Sequence, residues 1–304
     1  MIKAPAAFFD EEIRDGFKVT AAMKQVWFVE LDLMQKLLDV CRNNDIKIFA
    51  SGGTMLGAVR HHGFIPWDDD IDMMMFREDY DKLCDIAADE FKEPYFFQTA
   101  YSDESCLRGH AQLRNSSTTG MLEYESYRVK FNQGIFIDIF PLDSVISDEG
   151  KFKRQARKAK LLKKYFMSLN YYLNYNDFLK EYTGSERIKK ILSKVCNRFY
   201  SYNKAYEKYE SVCKQYNYLQ TEMISTLSFV FDCKQHFKYR EDYRDLIDVD
   251  FEFLKIPIGK NYVHALDKRY GNWRKFEKGS AVHGNVIFDT TIPYDEYIKK
   301  NFIR

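Results

Sequence analysis

The sequence predicts an α+β fold, in which a mixed β-sheet core is flanked by helices and joined to a largely helical insert or second lobe. Short apolar segments with strand character alternate with amphipathic helical segments in the first half of the chain. From residue 151 onward the pattern changes to long helical segments rich in Lys, Tyr and Leu. With 304 residues, 45% of them hydrophobic, the chain can bury a substantial core.

The first elements lead into a glycine turn. Residues 19–43 carry apolar side chains at helical spacing, which predicts a long amphipathic helix. Residues 47–50 have the composition of a short strand, and this strand runs into Gly52 and Gly53. Residues 54–61 then have the character of a short helix. The expected order is therefore helix, strand, glycine turn and helix.

The next elements supply most of the predicted sheet. Residues 70–75 have the composition of a buried strand, and residues 79–91 are predicted to form a helix after it. Residues 95–99 and 112–114 are predicted to be short strands. The alternating apolar segment 135–140 is the clearest strand pattern in the chain.

A change of composition near residues 147–150 predicts a boundary. Residues 1–147 are expected to form the catalytic core, and residues 148–250 a helical region that serves as an acceptor platform, a membrane contact or a buttress. Residues 251–304 contain Pro257, Gly259 and Gly271, which indicate loops around a short helix that returns to the core.

Two aspartates at the start of the strand 70–75 predict a metal site. Residues two apart on a strand project to the same face, so Asp70 and Asp72 are expected to point together. Two like charges held side by side repel each other unless a cation lies between them. Mg²⁺ or Mn²⁺, which bind through oxygen ligands, are therefore the expected cofactors.

The glycine turn predicts the phosphate-binding half of the same site. A turn at Gly52 and Gly53 that opens a helix at Thr54 lets backbone N–H groups approach phosphate oxygens, with the positive end of the helix dipole behind them. Arg60, in the same helix, is expected to pair with phosphate oxygens because a guanidinium group matches their geometry and stays charged. Together the two halves indicate metal-assisted phosphate chemistry.

These residues carry a family resemblance. Residues 51–72, followed by 76–80, resemble the signature block of the LicD family, which belongs to the nucleotidyltransferase-fold superfamily and also includes fukutin and fukutin-related protein. Residues 134–143 and 266–273 resemble two further stretches of that family. Between about 150 and 250 no motif of the family is present. The resemblance implies that the predicted sheet is a nucleotidyltransferase-like core.

The resemblance also implies a reaction. Members of the family transfer a phospho-alcohol group from a CDP-activated donor to a sugar hydroxyl and release CMP. In bacterial members the group is usually phosphocholine from CDP-choline, and the acceptor is a surface glycan such as teichoic acid or lipopolysaccharide, which can be lipid-linked. In the fukutin branch the group is ribitol phosphate.

Asp138 is the third candidate carboxylate. It lies within the alternating strand 135–140, where burying a carboxylate without a partner costs free energy. Attack of a hydroxyl on a pyrophosphate phosphorus needs charge neutralisation and an activated nucleophile. Asp70, Asp72 and Asp138 are therefore the expected catalytic and metal-binding residues, with Asp138 either a shared metal ligand or the general base.

Several neighbouring residues keep two interpretations. Asp68 and Asp69 lie near the turn after Pro66, so they either act directly or cap and solvate that turn. Asp138 can also be a structural acid. His61 either touches the donor phosphates or faces solvent at the helix end, and no His-x-x-x-His spacing supports a zinc site.

The three tryptophans are considered as contacts for the choline head group of the donor, the part that carries the trimethylammonium. A trimethylammonium group has no hydrogen-bond donors, so a protein holds it by cation–π contact with aromatic faces. Trp67, beside the acidic motif, and Trp273, near the end of the chain, are the candidates for such contacts, although either can serve in packing. Trp27 is expected in the core of the first helix.

Composition indicates a cytoplasmic protein with any membrane role peripheral, at the inner face of the cell membrane. The six cysteines form no Cys-x-x-Cys pair, and the first residues have no apolar signal core. No apolar run approaches the roughly 20 residues of a membrane-spanning helix.

A basic segment at residues 151–164 predicts an anionic partner. It contains eight Lys or Arg residues and no acid, whereas the whole chain has a net charge of only +1. An anionic membrane surface or a phosphate-bearing glycan fits this charge, and a solvated helix face is the structural alternative. Nucleic acid is not expected, because no nucleic-acid-binding motif accompanies the segment.

Three functions remain open from the sequence. The first is the metal-dependent phosphocholine transferase that uses CDP-choline or a related CDP-alcohol. The second is a conventional nucleotidyltransferase that moves NMP from an NTP to a small substrate. The third is a non-catalytic glycan-binding protein of the same fold, which has no physical reason to keep a cluster of mutually repelling carboxylates.

Overall fold

The structure is a computed structural model that describes residues 2–103, 106–126, 129–169, 182–197, 202–229, 231, 236–277 and 286–302. Its α-helices in the described residues are α1 (Ala21–Asn43), α2 (Gly52–His61), α3 (Arg77–Glu90), α4 (Glu149–Leu169), α5 (Gly184–Asn197), α6 (Tyr202–Cys213), α7 (Tyr262–Tyr270) and α8 (Tyr294–Asn301). Its strands are β1 (Glu12–Arg14), β2 (Phe17–Val19), β3 (Phe49–Ala50), β4 (Asp72–Phe76), β5 (Tyr95–Gln98), β6 (Ala111–Asn115), β7 (Thr119–Leu122), β8 (Ile135–Ser144), β9 (Met223–Ser225), β10 (Lys238–Tyr239), β11 (Leu246–Phe251), β12 (Leu254–Gly259) and β13 (Val286–Asp289).

A nine-stranded sheet forms the centre of the molecule. Seven of its strands follow the order β10-β9-β8-β4-β3-β12-β11. Strand β6 pairs with β8 on the edge opposite β4, and β5 pairs with β6. The β4–β8 and β3–β12 pairs are parallel, whereas the remaining pairs in this sheet are antiparallel. The sheet is therefore mixed, and helices flank it, which confirms the predicted α+β class.

The long first helix and the main strands agree with their sequence patterns. Helix α1 begins after Thr20, whose hydroxyl oxygen accepts a hydrogen bond from the Met23 backbone N–H. Strand β8 extends beyond the predicted segment 135–140 because its residues 141–144 pair with β4 and β9. Two strands begin later than predicted. Strand β3 begins at Phe49 rather than at residue 47, and β4 begins at Asp72, so Asp70 precedes the strand rather than lying in it.

Helix α1 packs across the sheet and places Trp27 in the core. The Trp27 ring is 1% exposed and stacks on Phe64 with ring centroids 4.5 Å apart. Its indole Nε1 donates a hydrogen bond of 3.0 Å to the backbone carbonyl of Asp68. The expectation that Trp27 is a core residue is confirmed, and its hydrogen bond also fixes the acidic loop before β4.

A second hydrophobic cluster lies where α4 meets α6. It contains Phe166, Tyr209 and Leu227, all nearly fully buried. A buried guanidinium joins this region to the sheet: Arg77 donates two hydrogen bonds of 2.8 Å to Asp143 of β8 and one of 2.9 Å to Glu210 of α6. Opposite charges in this geometry satisfy each other in the interior.

The region predicted to be helical, residues 148–250, also contributes strands. Besides α4, α5 and α6 it contains β9 and β10 and most of β11, and all of these strands belong to the central sheet. Helix α7 follows β12 and contacts α2, which agrees with the expected return of the C-terminal segment toward the core. The division into three segments stays a prediction.

Two further expectations concern thiols and membrane spans. Among the described residues, Cys41, Cys84, Cys106 and Cys213 are free thiols, whereas Cys233 lies outside these residues. The cytoplasmic location stays a prediction. Across the described ranges, every helix is too short or too polar to span a bilayer.

Candidate active site

The parallel pairing of β4 with β8 brings two aspartates together. Asp72 at the start of β4 lies directly opposite Asp138 of β8. The Asp138 backbone N–H donates a hydrogen bond of 2.9 Å to the carbonyl of Ile71, which holds this register. Residues opposite each other on neighbouring strands project to the same face. The sheet therefore presents both carboxylates on one side.

The glycine turn packs against these carboxylates, and its Gly52 and Gly53 are the first two residues of α2 rather than the predicted turn before a helix at Thr54. Gly52 has φ +60°, and a Cβ atom there would lie 3.3 Å from Asp72 Oδ2. A Cβ atom on Gly53 would lie 2.9 Å from Asp68 Oδ2. The buried hydroxyl oxygen of Thr54 accepts a hydrogen bond of 2.8 Å from the Asp72 backbone N–H. Contacts of these three residues with a phosphate stay a prediction, but their role in positioning the acids is observed.

Further acids complete a carboxylate cluster. Asp68, Asp69 and Asp70 each offer an oxygen, and these oxygens lie within 4.8 Å of one another. Burial raises the pKa of Asp70 well above its usual value, and the charges of Asp72, Asp68 and Asp138 raise it further. We call Asp68, Asp69, Asp70, Asp72 and Asp138 the carboxylate cluster.

The carboxylate cluster fits a divalent cation. Several buried or half-buried carboxylates repel one another at neutral pH, and hard cations such as Mg²⁺ prefer carboxylate oxygens. Asp68 and Asp69 are in the same cluster as Asp70, which favours a direct role for them over the capping alternative. The assignment of Asp70, Asp72 and Asp138 as the metal ligands stays a prediction.

Two side chains near β6 hold Asp138, and the sequence interpretation missed both. Gln112 donates a hydrogen bond of 2.6 Å to Asp138 Oδ1, and His110 Nε2 lies 3.1 Å from the same oxygen. Although burial raises the pKa of Asp138, the charge and hydrogen bond of His110 and the hydrogen bond of Gln112 bring it below the usual value. The only sequence signal is the alternation of polar residues around β6.

Glu30 of α1 is a third residue that the sequence did not reveal. It is 1% exposed and lies three residues after Trp27, whose indole donates a hydrogen bond to the Asp68 carbonyl. Burial raises its pKa well above the usual value, and the charges of Asp69, Asp68 and Asp138 raise it further. Its apolar helical context gives no signal of this proximity.

Arg60 and His61 are engaged in contacts away from the cluster. Arg60 donates hydrogen bonds to His61 Nε2 at 2.9 Å and to the Trp273 carbonyl at 3.1 Å. His61 Nδ1 lies 2.8 Å from Asp15, and the His61 side chain is only 4% exposed. The alternative that His61 faces solvent is therefore wrong, since both ring nitrogens have protein partners. Contacts of Arg60 and His61 with donor phosphates stay a prediction.

An aromatic cavity opens beside the carboxylate cluster. Its volume is about 540 Å³, and its lining comprises Ala22, Met23, Val26, Trp27, Trp67, Asp68, Asp69, Val286 and Phe288. The Trp67 ring meets Phe17 and Phe276 edge to face, with centroids 6.1 and 5.4 Å away. The cavity thus combines indole and phenyl surfaces with two acids of the cluster.

A smaller pocket with basic residues lies on the α2 side. Gly52, Lys238, Lys268 and Arg269 are among its lining residues. Lys238 is partly exposed as a whole, but burial of its ammonium group and the charge of Arg269 lower its pKa to about 8. We call Lys238, Lys268 and Arg269 the cationic pocket. Because Gly52 contacts Asp72 and lines this pocket, the pocket adjoins the carboxylate cluster.

The other candidate tryptophan is a core residue. Trp273 is 8% exposed and packs within the main hydrophobic cluster, with the Arg274 guanidinium 4.2 Å from its ring centroid. Its packing supports the structural alternative, whereas Trp67 remains the aromatic candidate beside the acids.

Comparison with known proteins identifies the domain that carries this site. Residues 45–172 match the family model described as "LicD/FKTN/FKRP, nucleotidyltransferase domain". Residues 45–172 are a LicD-family domain. The LicD domain contains the glycine turn, the whole carboxylate cluster and both residues that hold Asp138.

Relatives of this chain include one of comparable length. The lipopolysaccharide cholinephosphotransferase LicD of Haemophilus influenzae is 25% identical over 256 residues, which are 83% of this chain and 91% of that protein. The uncharacterised protein RP689 of Rickettsia prowazekii is 40% identical over 70 residues, 23% of this chain and 24% of that protein. The uncharacterised protein RT0683 of Rickettsia typhi is 47% identical over 47 residues, 16% of this chain and 15% of that protein.

Proposed function

We propose that this protein is a metal-dependent transferase that moves phosphocholine from CDP-choline to a sugar hydroxyl of a cell-surface glycan and releases CMP. The observation that carries the proposal is the position of the carboxylate cluster, which shares Asp68 and Asp69 with the aromatic cavity and adjoins the cationic pocket through Gly52. These three surfaces match the three chemical parts of such a donor: a metal-bound diphosphate, a quaternary ammonium group and a nucleotide phosphate.

The relative in Haemophilus influenzae supports the same reaction. Its name states that it is a lipopolysaccharide cholinephosphotransferase, and the similarity extends over 83% of the present chain. We therefore propose phosphocholine as the group transferred and a surface glycan, such as lipopolysaccharide or teichoic acid, as the acceptor.

The chemical step is a displacement at the phosphorus that bears choline. The acceptor oxygen forms a bond to this phosphorus, and the bridging oxygen leaves with CMP. Asp70 and Asp72 would hold a divalent cation, which would supply charge neutralisation on the phosphate oxygens. The acceptor hydroxyl loses its proton, and Asp138 is our candidate for the base or for a further ligand. His110 and Gln112 fix the orientation of Asp138.

The aromatic cavity is our candidate for the choline site. A trimethylammonium group is attracted to aromatic faces and to nearby carboxylates. Trp67 provides such a face, and Asp68 and Asp69 add negative charge in the same cavity. The donor phosphates would then lie between these acids and Lys238, Lys268 and Arg269.

The test measures CMP release, with and without Mg²⁺, from CDP-choline, CDP-ethanolamine, CDP-ribitol, CDP-glycerol and CTP. A thermal-shift series with the same compounds accompanies it, since slow hydrolysis can require the true acceptor. We expect metal-dependent release or stabilisation with CDP-choline above the other donors. Asp72→Asn should abolish release while the protein stays folded, and normal release from that variant would refute the metal assignment.

The same panel decides between the alternatives. A response to CTP alone would identify a conventional nucleotidyltransferase, since the glycine turn and the acidic strand alone also fit that reaction. The absence of any response to nucleotide would favour the glycan-binding function. Preference for another CDP-alcohol would keep the reaction class and change the head group.

A further inference from the structure

Glu30 is a buried carboxylate whose environment in the protein does not compensate its charge. The side chain is 1% exposed, and within the described part of the chain its Oε2 atom has no hydrogen-bond partner. Burial of an unpaired carboxylate costs free energy, so buried acids normally have hydrogen bonds, a counter-ion or a metal.

The charges that act most strongly on Glu30 are negative. They belong to Asp69, Asp68 and Asp138, in this order of effect. A helix that only packs against the sheet gains nothing from a buried carboxylate on which other carboxylates act repulsively. An apolar or amide side chain of similar size would fill the same volume without the repulsion.

We propose that Glu30 supplies an oxygen ligand to a divalent cation held by Asp68 and Asp69, so that the site binds two cations. Asp68, Asp69 and Asp70 already offer oxygens within 4.8 Å of one another. The second position is additional to the one predicted at Asp70, Asp72 and Asp138. The proposal rests on the metal dependence of the proposed function, and it extends the site to helix α1.

The test is the number of Mn²⁺ ions bound by the metal-free protein, measured by calorimetry and by the loss of the free Mn²⁺ resonance signal. We expect two ions per wild-type chain and one in Glu30→Gln, which keeps the volume and removes the charge. Asp39→Asn changes an exposed acid of the same helix and should bind as the wild type does.

Thermal unfolding separates a ligand from a packing residue. Without metal, Glu30→Gln should be at least as stable as the wild type, because the repulsion is gone; with Mn²⁺ it should gain less stability than the wild type. The same number of ions in Glu30→Gln as in the wild type would overturn the proposal but leave the proposed function intact. No Mn²⁺ binding by the wild type would overturn both.

A separate observation concerns the surface of α5. Four apolar side chains of this helix are strongly exposed: Ile188 at 61%, Ile191 at 48%, Leu192 at 59% and Val195 at 54%. Their spacing of three and four residues puts them on one face of the helix. We call these four residues the apolar stripe.

The apolar stripe lies in a positively charged part of the molecule. Helix α5 contacts α4, whose segment 151–164 carries eight basic residues and no acid. Arg157, Lys158 and Lys164 of that segment are exposed, and Leu161 between them is 70% exposed. Both helices therefore combine basic and apolar groups at their surfaces.

We infer that α4 and α5 form a docking surface for an anionic lipid bilayer. Amphipathic helices with basic flanks bind at the membrane interface, with the apolar face inserted and the cations near lipid phosphates. A second copy of the chain fits less well as the partner, because it would bring the basic helices α4 of the two copies together and their like charges would repel. This inference is independent of the transferase reaction.

Co-sedimentation with vesicles tests the docking surface. The wild type should sediment with phosphatidylglycerol-containing vesicles at low salt and much less with pure phosphatidylcholine vesicles. The double variant Ile188→Ser and Leu192→Ser should lose at least tenfold in vesicle affinity. Ile13→Ser, at a site on β1 that is 69% exposed, is the matched control and should bind normally.

Two results would overturn the inference. One is equal sedimentation of the wild type and the double variant. The other is a concentration-dependent dimer of the wild type in sedimentation velocity without lipid, if the double variant abolishes that dimer. The latter result would assign the apolar stripe to self-association.

Discussion

Replacing Gly52 by alanine will measure how closely the glycine turn and the carboxylate cluster depend on each other. Gly52 has φ +60°, a conformation that costs a residue with a Cβ atom roughly 1–2 kcal/mol. The added Cβ atom would also lie 3.3 Å from Asp72 Oδ2, so the Asp72 carboxylate must move by a few tenths of an ångström. The substitution therefore combines backbone strain with displacement of a proposed metal ligand.

Gly16→Ala provides a control that has the backbone strain without a displaced carboxylate. Gly16 has φ +75° in the β1–β2 connection, and a Cβ atom there would meet nothing within 4 Å. Both alanine variants should lose about 1–2 kcal/mol of unfolding free energy, or about 2–5 °C in melting temperature. Only Gly52→Ala should also lose Mn²⁺ affinity, by about tenfold or more, as when the support of a metal ligand is disturbed.

The assay is Mn²⁺ titration of both variants beside thermal unfolding without metal. The reasoning predicts similar melting temperatures and different Mn²⁺ affinities. If Gly52→Ala and Gly16→Ala bind Mn²⁺ equally well, the close approach of the turn to Asp72 has no consequence for the metal site. CMP release, measured on the same samples, should follow the Mn²⁺ affinity.

Three further predictions address the donor site. Because burial and Arg269 lower the pKa of Lys238 to about 8, its charge is present below that pH and lost above it. The affinity for CDP-choline should therefore fall as the pH rises through 8. Lys238→Arg, which stays charged, should remove this fall. Trp67→Leu should raise the KM for CDP-choline about 5- to 30-fold and leave the KM for CDP-glycerol unchanged, because only the cation–π contact is lost. An equal effect on both donors would assign Trp67 to packing. Gln112→Leu removes one of the two contacts that hold Asp138 Oδ1. The kcat should therefore fall about tenfold or more, with little change in the KM for CDP-choline. An unchanged kcat would show that His110 alone suffices to orient Asp138.

Local patterns predicted the elements and the acids of the site. The helical spacing in α1 and the alternation in β8 depend on burial of one face, which is visible in a single segment. The clustering of Asp68, Asp70 and Asp72 follows from their proximity in the chain. The strand boundary at Asp72 was missed because composition does not show where pairing with β3 and β8 begins.

The remaining site residues were not predictable because long-range packing brings them together. Glu30 belongs to an apolar helix, and its nearness to Asp138 depends on how that helix crosses the sheet. His110 and Gln112 acquire their role only when β6 pairs with β8 in the observed register. Likewise, the contacts of Arg60 with Trp273 depend on the return of the C-terminal segment to α2.

The pairing of β4 with β8 also makes the assembled site a reporter of correct folding. Asp72 and Asp138 meet only in one alignment of two parallel strands from distant parts of the chain. A slip of one residue would turn Asp138 to the opposite face of the sheet while leaving much of the secondary structure in place. A misfolded population with native-like circular dichroism would consequently lack high-affinity Mn²⁺ binding, so the fraction of chains that bind Mn²⁺ tightly counts the molecules with the native strand alignment.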